Sequence, residues 1–138
     1  MINKRIVIDG VDKTGKDLLL QYVVRLSNHK YVIQARGILT QIAYSKIYNR
    51  GYEYSLEPYK DDIIFYLKGD IEDLTLRHKI TNEPKIDIES DMQVFDEVAN
   101  ELRKKGITII ELDTSHRTPY ENAITIIETM KKFEKEER

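Results

Sequence analysis

The chain has no cysteine, which excludes a disulfide framework and a thiolate zinc site and fits a reducing cytoplasm. No apolar run approaches the roughly 18 residues of a membrane span, so a soluble protein is expected. Neither sign of charge dominates: 22 Lys and Arg stand against 24 Asp and Glu, a net charge of -2. Nothing therefore draws the whole surface toward nucleic acid or anionic lipid, and any polyanion must be gripped by a local site. Repeats, linkers and low-complexity segments are missing too. At 138 residues, 41% hydrophobic and 33% charged, the chain is long enough for one domain (1–138) with a real core, and too short for two. Its Met-Ile-Asn-Lys-Arg start runs directly into a strand pattern rather than a signal peptide.

What the chain does have is a phosphate-loop spacing. Ile6, Val7 and Ile8 are a β-branched run suited to a strand buried on both faces, and Gly10-x-x-x-x-Gly15-Lys16 follows. Between a strand and a helix, that spacing turns backbone N–H groups inward around phosphates, sends the lysine to the terminal phosphates and adds the helix dipole. The next residue is normally Ser or Thr, whose hydroxyl ligates magnesium; here it is Asp17.

Hydrophobic spacing then predicts a helix from near Lys16 to near Asn28 and a strand at Tyr31-Val32-Ile33. Arg36 stands at that strand's carboxyl end, the end that faces the ligand crevice of an open α/β sheet. A helix is predicted over Leu39–Asn49, stopped by Gly51. Residues 50–61 read as a loop; six of the nine tyrosines lie between Tyr44 and Tyr66, and Tyr52, Tyr54 and Tyr59 would either cover a sheet edge or subunit contact or stack on a base. Asp62–Leu67 reads as a central strand. Asp70 would cap a helix from Ile71 to about Ile80, with Leu74 and Leu76 inward and Arg77 and Lys79 at its end. Pro84 marks a mobile, lid-like stretch at about 80–88. A helix over Glu89–Lys105 with Met92, Phe95, Val98, Ala99 and Leu102 buried ends at Gly106. A strand over Ile107–Leu112 and a last helix, with Pro119 in its first turn and Ala123, Ile124, Ile127 and Met130 inward, complete the chain. His29, His78 and His116 lack ligand spacing and read as surface residues. Strands alternating with helices predict an α/β fold with three layers, helices on both faces of a small parallel sheet of about four strands. The apolar helices and the tyrosine loop exceed what so small a sheet covers, which makes a homodimer an expectation.

The stretch Ile-Val-Ile-Asp-Gly-Val-Asp-Lys-Thr-Gly-Lys at 6–16 resembles the opening of thymidylate kinases and related phage deoxynucleoside monophosphate kinases. Arg36 to Tyr44 is similar to that family's Asp-Arg segment and following helix, Asp62–Ile80 to the strand and helix before its lid, and Glu111–Ser115 to its last strand and purine-side loop. The resemblance implies a P-loop kinase fold using ATP and Mg2+, with nucleotides as partners and neither membrane nor nucleic acid expected. The backbone of Gly10, Val11, Asp12, Lys13, Thr14, Gly15, Lys16, Asp17 and Leu18 would hold the donor phosphates, and Lys16, Arg36 and Arg77 would carry the chemistry. Asp9, Asp12, Arg36 and Tyr44 would face the acceptor, Thr114 and Arg117 the purine, and Asp17 would hold the metal.

Three departures surround the same site. Asp17 replaces the hydroxyl residue, Ala35 stands where the family's Asp precedes Arg36, and only about a dozen residues separate the first helix from Arg36, where the family inserts a further strand and helical segments. The leading expectation is phosphoryl transfer from ATP to a deoxynucleoside monophosphate resembling dTMP or dUMP. A nucleotide-binding module without catalysis, serving regulation or assembly, and a kinase acting on a modified nucleotide in DNA remain as alternatives.

Overall fold

The computed structural model describes residues 4–11, 14–28, 30–51, 53–80 and 87–136. Four strands, β1 (Ile6–Gly10), β2 (Ile33–Ala35), β3 (Ile63–Lys68) and β4 (Thr108–Asp113), form one parallel sheet in the order β2-β1-β3-β4. Between and after them lie α1 (Lys16–Ser27), α2 (Ile38–Ile47), α3 (Ile71–Ile80), α4 (Ile88–Lys104) and α5 (Pro119–Glu136), with a 3-10 turn at Glu57–Tyr59.

The two-residue period of the inner strands divides the core. Ile6 and Ile8 of β1, with Ile63, Phe65 and Leu67 of β3, pack on Leu19 and Val23 of α1 and on Ala123, Ile126 and Met130 of α5. Val7, Ile64 and Tyr66 face the other way, against α2 and the Met92, Phe95, Val98 and Leu102 stripe of α4. Both faces are thus covered, which is why the inner strands read as continuous apolar runs rather than alternating ones. The chain leaves β1 toward β2 and then crosses back to β3. Crossovers of one hand in opposite directions put α1 and α2 on opposite faces and open a crevice at the carboxyl ends of β1 and β3. At the far end of these strands Arg5 grips Asp62 bidentately, at 2.7 and 2.9 Å, away from the crevice.

Several boundaries differ from the sequence expectation, each for a tertiary reason. β2 begins at Ile33, not Tyr31, because Ile33 pairs with Ile6; Tyr31 instead packs in the α1/α5 layer and donates its hydroxyl to Glu134 at 2.7 Å. α2 stops at Ile47 rather than at Gly51: Asn49 takes φ +52° and the Arg50 amide bonds back to Ser45 O at 2.7 Å, closing the helix as a Schellman turn. Leu76 is exposed, because α3 buries only the Leu74/His78 side, and His78 is therefore a buried residue and not a surface one. In α5 the inward residue is Ile126, with Ile124 only partly covered. Asp70 stands at the N-cap position of α3, its carbonyl accepting from Leu74 N at 3.0 Å, and its carboxylate pairs with His116 Nε2 at 2.9 Å. Tyr54 and Tyr59 pack against the α2/α4 core, whereas Tyr52 and His29 lie outside the described residues. Of the predicted lid, 81–86 lie outside the described residues, while Asp87 caps α4 through Ser90 N and Ile88 opens it. No helix among the described residues is long and apolar enough to cross a membrane.

Candidate functional site

The phosphate-loop spacing lies where the sheet opens. β1 ends at Gly10, Val11 and Thr14 are buried beneath the loop, and Thr14 donates its hydroxyl to Val11 O at 3.0 Å. Gly15 takes φ +80°, ψ +29° at the N-terminal boundary of α1, a conformation that strains any residue with a Cβ. That turn lets α1 begin at Lys16, pointing its N-terminal amides back over the end of β1. Lys16 Nζ donates to Gly10 O at 2.8 Å, spanning the loop. Asp17 and Leu18 are exposed in the first turn of the helix, while Asp12 and Lys13 lie outside the described residues.

A cleft of about 150 Å³ adjoins the loop, lined by Thr14, Gly15, Leu19, Arg77, Thr114, Arg117, Pro119 and Asn122. The structure thus brings Arg77 of α3, together with Thr114 and Arg117 of the connection between β4 and α5, to the side of the Gly10–Lys16 loop. Arg77 is held by Asp73 at 2.7 Å and by Thr114 O at 2.9 Å; Arg117 lies along α5, donating to Thr125 Oγ1 at 2.8 Å. Thr114 is tied to β3 through Lys68 O. Burial pushes the Asp113 carboxyl upward, but the N–H groups of Ser115 and His116 and the nearby His116 and Arg117 side chains outweigh it and hold it below the ordinary range.

Two features escaped the sequence reading. Thr118 and Glu121 form a reciprocal capping box on α5, with Thr118 N to Glu121 Oε1 at 3.0 Å and Glu121 N to Thr118 Oγ1 at 3.1 Å. The Thr-x-x-Glu spacing announces it. Asn122, 1% exposed, gives its Nδ2 to Asp113 O at 2.8 Å, while Oδ1 is buried with no donor among the described residues. Because a backbone carbonyl only accepts, this bond fixes which end of the amide is oxygen. Its signal was a polar residue inside the apolar stripe of a helix.

On the other side of the loop, Asp9 is wholly buried and accepts from Gly37 N at 2.7 Å and from Thr40 Oγ1. Burial drives its carboxyl above the ordinary range, against the opposing pull of Thr40, the Gly37 and Thr40 amides and the Lys16 ammonium. Arg36 follows β2 in a left-handed conformation, φ +61°, with its side chain exposed. The Tyr44 ring packs edge-on against Phe95 and stacks with Tyr48.

No family model matches the sequence, and no curated protein matches it. Among solved structures, the chain is similar to the crystal structure of the YorR protein of Bacillus subtilis in complex with phosphorylated GDP. The two share a TM-score of 0.72 at 14% identity, over 91% of this chain and 95% of that chain. The likeness shows a shared α/β fold.

Proposed function

We propose that the chain binds a nucleoside triphosphate at Gly10–Lys16 and transfers its terminal phosphoryl group to a deoxynucleoside monophosphate. The observation that carries this reading is the strand-loop-helix geometry, in which left-handed Gly15 starts α1 at Lys16 over the end of β1, at the switch point of the sheet. The loop amides and Lys16 would neutralise the donor phosphates; Arg36, at the carboxyl end of β2, would take the acceptor phosphate, and Arg77 would balance charge on the transferring group. In the adjoining cleft, the bare Oδ1 of Asn122 would accept the exocyclic amino group of the donor purine, with Arg117 and Thr114 beside it.

No group of three acidic or histidine side chains among the described residues forms a cage for a metal. Magnesium is usually held by one or two carboxylates together with substrate phosphates, and the exposed Asp17 in the first turn of α1 fits that donor set. Bound there, the ion would screen charge between donor phosphates.

Calorimetry with ATP, GTP and inorganic tripolyphosphate, on wild type and Lys16→Met, tests the reading. Binding of all three triphosphates in the wild type, lost in the variant, is expected. Absence of any triphosphate binding would overturn it. A module that binds without turnover is the second reading, favoured by Asp17 in the helix turn and by Ala35 beside Arg36. It predicts the same titrations with no ADP released in the presence of monophosphates.

A further inference from the structure

The exposed Arg36 is held by three consecutive residues of the neighbouring strand. Its own N–H donates to Ile8 O at 3.0 Å, and the next amide, Gly37 N, donates to Asp9 Oδ1 at 2.7 Å. Gly37 also sits directly on Val7: a Cβ there would lie 2.3 Å from Val7 Cγ1. Between these ties Arg36 keeps φ +61°, a conformation that an arginine retains only when its surroundings impose it.

Asp9 supplies more than one of these ties. Gly37 precedes α2 and has no side chain to cap it, and the helix's own first turn contains no acidic residue. The carboxylate reaching across from β1 takes the Gly37 amide and the Thr40 hydroxyl on one oxygen, so an acid of the sheet caps the helix. Asp9 is 0% exposed and its second oxygen is buried without a donor among the described residues. Enclosed in this way and, unlike Asn122, absent from the lining of the cleft beside the loop, Asp9 meets its own neighbours, whereas Arg36 beside it is exposed. The raised carboxyl of Asp9 is the expected consequence of that enclosure.

We propose that Asp9 is a positioning residue: by capping α2 from β1 it fixes the backbone at Arg36–Gly37 and so aims Arg36 at the acceptor phosphate. The inference rests on the acceptor role of Arg36 given above. It assigns Asp9 to the acceptor half of the reaction alone, acting through another residue. It also explains the chemistry at position 9: both donors converge on Oδ1, so an amide oxygen at the same place serves the same purpose, and an apolar side chain does not.

The experiment is a double-mutant cycle, reading dTMP affinity and tripolyphosphate affinity separately by calorimetry on wild type, Asp9→Ala, Arg36→Ala and the double variant. Arg36→Ala is expected to weaken dTMP binding about 10- to 100-fold, as loss of a charge-assisted contact does. Asp9→Ala is expected to weaken it by a comparable factor in the wild-type background and to add almost nothing once Arg36 is gone. Tripolyphosphate affinity is expected to stay within about threefold. Asp9→Asn, which keeps the accepting oxygen, is expected to restore dTMP binding. Equal Asp9→Ala penalties in both backgrounds, an equal loss of tripolyphosphate, or failure of Asp9→Asn would each overturn the inference. Should Asp9→Ala not fold, Thr40→Val removes one donor from the same oxygen, and its smaller penalty must likewise vanish without Arg36. If Arg36→Ala leaves dTMP binding unchanged, the acceptor assignment itself fails; an Arg36 effect with additive Asp9 sinks only the positioning claim.

Discussion

Replacing Gly37 by alanine adds one methyl group at the tightest point between α2 and the sheet. That Cβ would lie 2.3 Å from Val7 Cγ1, 3.6 Å from Val7 Cβ and 3.4 Å from Asp9 Oδ2. Val7 is 0% exposed and β-branched, so it has no free rotamer to swing into; either its side chain leaves its well or α2 lifts from β1. Overpacking of this kind costs about 1–3 kcal/mol, and lifting α2 also stretches the Gly37 bond to Asp9, which places the expected loss near the upper end, about 3 kcal/mol. For a chain of this length that is a fall in melting temperature of about 10 °C. Urea unfolding followed by circular dichroism reads the loss, with Gly51→Ala as control: a Cβ there meets nothing within 4 Å, and its effect should stay within about 0.5 kcal/mol. Val7→Ala in combination should recover more than about 1 kcal/mol of the Gly37→Ala loss, since the clashing atom is gone. A Gly37→Ala midpoint equal to wild type would refute the close approach and the capping geometry that depends on it.

Burial raises the Asp9 carboxyl, so the folded state keeps a proton that the unfolded chain has released: the stability this confers is fully present below the unfolded pKa and is lost as pH rises through the folded one. Asp9→Asn removes that dependence, and its stability should gain on wild type as pH rises from about 4 toward neutrality; a difference in urea midpoint that does not change with pH would contradict the burial argument. Asp17→Ser removes an exposed negative charge beside the proposed phosphates, and tripolyphosphate affinity in EDTA should rise about three- to tenfold, screened by salt. An unchanged affinity places Asp17 away from the phosphates. If Asn122 Oδ1 reads a purine amino group, wild type should bind ATP about tenfold more tightly than purine riboside triphosphate, or GTP more tightly than ITP, and Asn122→Leu should abolish the difference. A preference that survives the substitution belongs to another residue.

The inner strands, the α4 stripe and the strand-loop-helix turn at Gly10–Lys16 were legible because each rests on a local signal: continuous apolar runs, helical spacing, and glycines at a fixed distance from a lysine. The misplaced boundaries are those that pairing decided. Tyr31 looked like strand but is apolar for the sake of α5, and Gly51 looked like a stop although Asn49 and Arg50 had already closed the helix. Around the site, Arg77, Thr114 and Arg117 were named from their places at element ends, which is where a parallel sheet gathers its ligand groups. The enclosure of Asp9 was not readable, because it depends on residues 28 and 31 positions away; nothing in the local sequence distinguishes a carboxylate that meets a ligand from one that caps a distant helix.

The Gly10–Lys16 loop is proposed to support phosphoryl transfer as well as binding. ADP release from ATP, measured in the presence of Mg2+ against dTMP, dUMP and the other nucleoside monophosphates, with Lys16→Met and Arg36→Ala as controls, tests it most directly. Release is expected to depend on one monophosphate, to be abolished by Lys16→Met and to fall at least about tenfold with Arg36→Ala. Triphosphate binding with no monophosphate-dependent release would contradict the claim and leave a nucleotide-binding module in its place.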